Sequence, residues 1–203
     1  MSIWVSGLIA LGISLVILPL FFLAYKRENL NTRKIVLLGF FLALAIAVAM
    51  FESMIPDFFV PGFKLGFANI VIVILLYGLG WKEALIVDVL RVVVVSLLRG
   101  NFLTMGGIMS YAGMGLSFLG MVFIWLLWKK ASVVFTSIIG ALLHVSGQIL
   151  VAVFYQESVA LFYYLPFMAL FSLLTGAIAG IAAMLVLRNK AFKRYLNTQN
   201  GSE

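Results

Sequence analysis

The side chains with chemistry to offer are few, and most of them stand inside apolar runs. The stretch 84–100, ALIVDVLRVVVVSLLRG, carries Asp88 and Arg91 in its interior and Arg99 near its end. A charge at the centre of a membrane helix costs about 3 kcal/mol even on lenient insertion scales. Asp88 and Arg91 are three residues apart, so they share a helix face and can offset each other's desolvation. Two roles are open to them: a structural clasp, or a cation facing a polar cavity with Asp88 holding the guanidinium in place. Lys64, Asn69, Tyr111, His144 and Gln148 are further polar groups embedded in apolar surroundings.

The same inventory excludes several chemistries. Cysteine is absent and histidine occurs once, so thiolate or poly-histidine metal sites and a Ser-His-Asp triad are hard to build. No G-x-x-x-x-G-K-[ST] run exists to cradle nucleotide phosphates. The acids Glu28, Glu52, Asp57, Glu83, Asp88, Glu157 and Glu203 are scattered, with no D-x-x-x-D cluster to bridge Mg²⁺ to a diphosphate. Neither a catalytic residue nor a metal or other cofactor is expected.

The elements that must position these residues are membrane helices. Of 203 residues, 65% are hydrophobic and 10% charged, too apolar for a soluble domain that must cover itself with polar groups. Residues 3–25 form a first apolar run, read as a retained helix because its basic flank follows it and no cleavage site is evident. A polar linker, 27–32, leads to a helix over 33–54. Pro56 and Pro61 enclose an aromatic loop, 57–64. Further helices are predicted over 65–79, 84–100, from after Asn101 to Trp128, 133–155 and 160–187, with a turn at 80–83 and a short loop at 156–158. The predicted fold is an all-α integral membrane protein with seven spans: an extra N-terminal helix and linker (1–32), a six-helix membrane domain (33–190) and a polar tail (191–203).

Eleven of the 14 lysines and arginines fall on one side of this arrangement, which the positive-inside bias makes cytoplasmic. The N-terminus is then outside and the C-terminus inside. The net charge of +7 sits in these inter-helix clusters, so it speaks for a lipid bilayer rather than nucleic acid. At about 1.5 Å per residue, Glu52, Lys64, Asn69, Arg99, Asn101 and Tyr111 lie in the outer half, with Arg91 and His144 near the midplane. Gln148 is one turn further out than His144. This asymmetry predicts a pocket open to the outside; polar groups that merely join helices by hydrogen bonds are the alternative. Gly39, Ala43 and Ala47 recur at every fourth position, beside a second stripe of Ala45 and Ala49. Such spacing suits either a partner helix or packing within the bundle. The glycines at 106, 107, 113, 115 and 120, and at 176 and 180, predict close helix packing.

The run Pro61-Gly62-Phe63-Lys64-Leu65-Gly66-Phe67-Ala68-Asn69, the turn Gly80-Trp81-Lys82-Glu83-Ala84, Leu90-Arg91, and Gly140-Ala141-x-x-His144-x-x-Gly147-Gln148 resemble the Gx transporter family. That family is labelled heptaprenyl diphosphate synthase component I and is similar to the S components of energy-coupling factor (ECF) transporters. The resemblance covers roughly residues 33–188. It implies a six-helix subunit that captures a vitamin-like molecule, with loop 57–64 as a lid. It also implies that Ala43-x-x-x-Ala47, extended here by Gly39, meets a transmembrane coupling subunit, and that two separate subunits hydrolyse ATP. The extra N-terminal helix departs from the six-helix pattern. Together these features lead to a multi-pass plasma-membrane subunit binding a small, anionic substrate through Arg91 and Lys64. Asn69, Tyr111, His144 and Gln148 would orient it, with Arg99 at the rim. The rival is a non-catalytic membrane partner in isoprenoid, quinone or electron-transfer metabolism.

Overall fold

The computed structural model describes residues 32–54, 64, 66–128, 130–190 and 192–194. The expectations for the first apolar run, for most of the aromatic loop and for most of the polar tail fall outside them. Six helices follow in order: α1 (Thr32–Glu52), α2 (Asn69–Gly78), α3 (Trp81–Leu98), α4 (Met105–Leu127), α5 (Val133–Gln156) and α6 (Leu165–Arg188). The described residues contain no strand. Four segments are long and apolar enough to cross a membrane: Thr32–Glu52, Met105–Leu127, Val133–Gln156 and Val159–Arg188. The other two depart from that pattern for different reasons. α3 has 18 residues but carries Lys82, Glu83, Asp88 and Arg91. α2 has only 10 residues, which span about 15 Å, half of a hydrocarbon core.

The shortness of α2 corrects the helix expected from residue 65. Gly66 adopts φ +84°, and the turn after it is closed by i→i−3 bonds from Asn69, Ile70 and Val71. The α-helical ladder therefore begins only at Asn69. The turn expected over 80–83 shifts to two residues, Leu79 and Gly80. Gly80, at φ +121°, precedes α3 directly, a conformation that a Cβ disfavours. The final helix starts later than residue 160. Pro166 lies in its first turn, where its missing N–H is harmless. Continued upstream, α-helical geometry would drive the proline ring into the carbonyl four residues back. Val159–Tyr164 forms a 3-10 helix instead.

α2 is the centre of the bundle. Seven of its 10 residues are buried, Val71 through Leu76 without a break, as expected of a helix apolar all round. α1, α3 and α4 contribute Phe41, Leu85 and Phe118 to the same core. The other half is held by close backbone approach. A Cβ at Gly147 on α5 would sit 2.7 Å from the Ala112 carbonyl oxygen on α4, and one at Gly180 on α6 2.6 Å from Val134 Cα on α5. Outward faces are apolar: Phe40 and Leu44 on α1, and Leu170, Leu174, Ile178 and Leu185 on α6, are all exposed.

The helix ends gather charge at one end of the bundle. Among the described residues that end carries Arg33, Lys34, Lys82, Lys130, Arg188, Lys190, Lys193 and Arg194. Its acid, Glu83, pairs with Lys34 at 2.7 Å.

Candidate functional site

At the opposite end, a small cavity lies where α1, α3, α4 and α5 meet the segment leading into α2. Glu52, Lys64, Gly66, Arg91, Ser110 and His144 line it, with Ala49, Val92 and Val95 as its apolar wall. Its volume is about 20 Å³, room for one water molecule.

Each polar side chain has a local reason to be there. Glu52 closes α1 and is only 5% exposed. The negative end of the helix dipole repels a carboxylate at that position, so a donor from elsewhere is required. The Gly66 N–H supplies it, donating to Glu52 Oε1. A Cβ on Gly66 would meet nothing closer than 3.5 Å. Backbone conformation, not crowding, therefore asks for glycine at this point.

Arg91 donates from Nε at 3.1 Å and from Nη2 at 2.5 Å to the same Asp88 oxygen. The pair closes within α3 and does not clasp two helices together. It uses two of the five guanidinium N–H groups and leaves Arg91 lining the cavity. Asp88 is fully buried, and its second oxygen has no hydrogen-bond partner among the described residues.

Lys64 donates through Nζ to Ser110 Oγ at 2.9 Å, and Ser110 Oγ donates in turn to the Gly106 carbonyl at 2.7 Å. Gln148 holds the backbone of Lys64. In the amide orientation that satisfies every group, its nitrogen donates to the Lys64 carbonyl at 3.1 Å. Its oxygen accepts from the Lys64 N–H and from His144 Nε2, both at 3.3 Å. The i,i+4 spacing on α5 aligns His144 with Gln148. Gly113 makes room for the imidazole, since a Cβ there would fall 3.0 Å from His144 Cε1.

The structure thus brings together Lys64, Arg91, His144 and Gln148 of the residues singled out in sequence. Asn69 stands beside the cavity, buried, with Nδ2 donating to Ser117 Oγ at 3.0 Å. Tyr111 follows Ser110 on α4, so it is rotated by about 100° from it and packs edge-on against Phe102. Arg99 follows the last residue of α3 and is exposed; it does not join the cluster. Glu52 and Ser110 complete the lining and were not among the candidate ligands. Spacing exposes the Asp88–Arg91 pair because both partners share one helix, whereas Glu52 and Gly66 are 14 residues apart and share none.

The two small-residue stripes of α1 separate cleanly. Ala45 and Ala49 are buried against the bundle, while Gly39, Ala43 and Ala47 are exposed. Nothing lies within 4 Å of a Cβ built on Gly39. Among the described residues, the outer stripe does no internal packing.

Long apolar helices, lipid-compatible outer faces, a basic rim and a buried polar cluster define an integral membrane protein. A family model described as heptaprenyl diphosphate synthase component I matches residues 41–186, and the chain belongs to that family. Neither the curated proteins nor the solved structures contain a match.

Proposed function

We propose that this chain is a substrate-binding membrane subunit of an ECF-type importer, placed in the plasma membrane with its basic end cytoplasmic. The observation that carries the reading is the cavity where Lys64, Arg91, His144 and Glu52 converge far from the basic rim. Burying such groups in a membrane chain is costly, and a purely structural role offers little return for it. The basic bias of the rim favours the orientation in which the cavity end faces outward.

The cavity holds one water, whereas small-molecule sites enclose about 300–1,000 Å³. Binding therefore requires the Lys64 and Gly66 backbone to move. Contacts that hold that segment include Glu52 with Gly66, Gln148 with the Lys64 backbone, and the Lys64 amine with Ser110. A small anionic substrate drawn to Lys64 and Arg91 would replace the last of these. The exposed Gly39, Ala43 and Ala47 face fits a transmembrane coupling subunit, with ATP hydrolysed by two further subunits.

A second reading follows from the family description: a non-catalytic membrane partner in isoprenoid or quinone metabolism. Glu52 and Asp88 are each committed to a neighbour, which leaves little carboxylate for Mg²⁺-diphosphate chemistry in either case. One purification separates the two readings. The tagged chain should bring down ATPase subunits, together with a small molecule detectable by mass spectrometry. Ala47→Trp should lose the ATPase subunits, and Arg91→Met the small molecule, while both stay folded. Recovery of a soluble prenyl-transferring enzyme in place of ATPases would overturn the importer reading.

A further inference from the structure

The basic end holds a groove that the polar cluster at the other end does not explain. It is formed where the C-termini of α2 and α6 meet the N-terminus of α5 and encloses about 410 Å³. Arg188 and Lys193 form its charged edge; Met184, Leu187 and Val133 form an apolar wall, and Tyr77 closes it. Lys193 is held in place because its neighbour Phe192 packs edge-on against Phe41 of α1, with ring centroids 6.2 Å apart. Tyr77 is also fixed, its hydroxyl lying 2.7 Å from Thr136 Oγ1 and 3.2 Å from the Ala131 carbonyl. On the other side of Tyr77 a second groove of about 300 Å³ opens between Trp125, Leu126 and Trp128. Leu126 and Trp128 of the second groove are more than half exposed.

We infer that this double groove is a binding site for an anionic phospholipid, with the headgroup phosphate on Arg188 and Lys193 and an acyl chain along Trp125 and Trp128. Two observations carry it. No acid among the described residues pairs with Arg188 or Lys193, since the acid at this end, Glu83, is engaged by Lys34. The second is the change from basic to apolar lining around one residue, Tyr77, at the level where tryptophans mark a membrane interface. Basic pockets between helices at that level suit anionic headgroups. A free phosphate would leave the apolar groove unused. The site is independent of the importer reading.

The test uses the full chain in detergent and native mass spectrometry. Phosphatidylglycerol and phosphatidylcholine with identical chains are compared, and inorganic phosphate is added as competitor. Phosphatidylglycerol should bind about tenfold or more tighter than phosphatidylcholine. Arg188→Gln with Lys193→Gln should abolish the difference, and Arg188→Lys should keep most of it. Lys190→Gln with Arg194→Gln removes the same charge from the same end but outside the groove, and should also keep it. Trp128→Ala should weaken both lipids alike. Equal binding of the two lipids by the unaltered chain would overturn the site. So would equal loss in the Lys190/Arg194 variant, which indicates a diffuse basic surface, or displacement of the lipid by inorganic phosphate, which indicates a phosphate site.

Discussion

The two ends of this bundle handle charge in opposite ways. At one end Lys64, Arg91, Asp88 and Glu52 are each tied to a named neighbour around a cavity the size of one water. At the other, lysines and arginines outnumber the acids beside them and edge an open groove of about 410 Å³. Depth accounts for the difference. A charge surrounded by protein and hydrocarbon must be compensated by a nearby partner, whereas one at the rim is compensated by water and lipid headgroups. The same residue type is thus held by a protein partner at one end, while at the other only the cations that edge the groove, Arg188 and Lys193, are tied to a site.

This contrast is most exposed to test at Asp88. Asp88→Asn should destabilise the chain by about 3–5 kcal/mol, because it strands a buried guanidinium, and Asp88→Asn with Arg91→Met should recover much of that. Melting temperatures of the two variants in detergent decide it; a double variant no better than the single would deny that the pair offsets its own burial. Arg91→Met alone should lower affinity for a co-purifying anion by roughly thirty- to several-thousand-fold. Unchanged affinity in folded protein would remove Arg91 from the binding site.

Next in size is Gly147→Val, expected to cost about 1–3 kcal/mol by forcing α5 away from the Ala112 backbone. Thermal unfolding measures it, and a neutral result would mean that the α4–α5 contact yields easily. Gln148→Leu should cost about the same or less, since it leaves the Lys64 backbone groups without their clamp. Hydrogen exchange at Lys64 and Gly66 should then speed up relative to α2; exchange as slow as in the unaltered chain would show that the Glu52 bond suffices. The smallest effect belongs to the basic end. Lys190→Gln with Arg194→Gln should shift stability by no more than about 0.5 kcal/mol, as exposed substitutions usually do. A loss comparable to that of Asp88→Asn would break the contrast between the ends.

What could be read from the sequence was whatever depends on composition and on spacing along one helix. Apolar runs of membrane length, the Asp88–Arg91 pair three residues apart and the His144–Gln148 pair four apart all follow from helical geometry. The family, too, was recognisable from motifs between Pro61 and Gln148, inside the span 41–186 that its model matches. Spacing alone did not decide which small stripe of α1 faces outward, because Gly39/Ala43/Ala47 and Ala45/Ala49 have the same period. It also did not reveal that α2 is too short to span, since the run 65–79 is apolar but for Asn69 and the Gly66 turn delays the helix. Nor could it join Glu52 to Gly66, Lys64 to Ser110, or Arg188 to the groove beside Tyr77. Those contacts bridge residues far apart in the chain or on different helices, and no periodicity encodes them. Only the packing of the helices around α2, α6 included, brings these residues together.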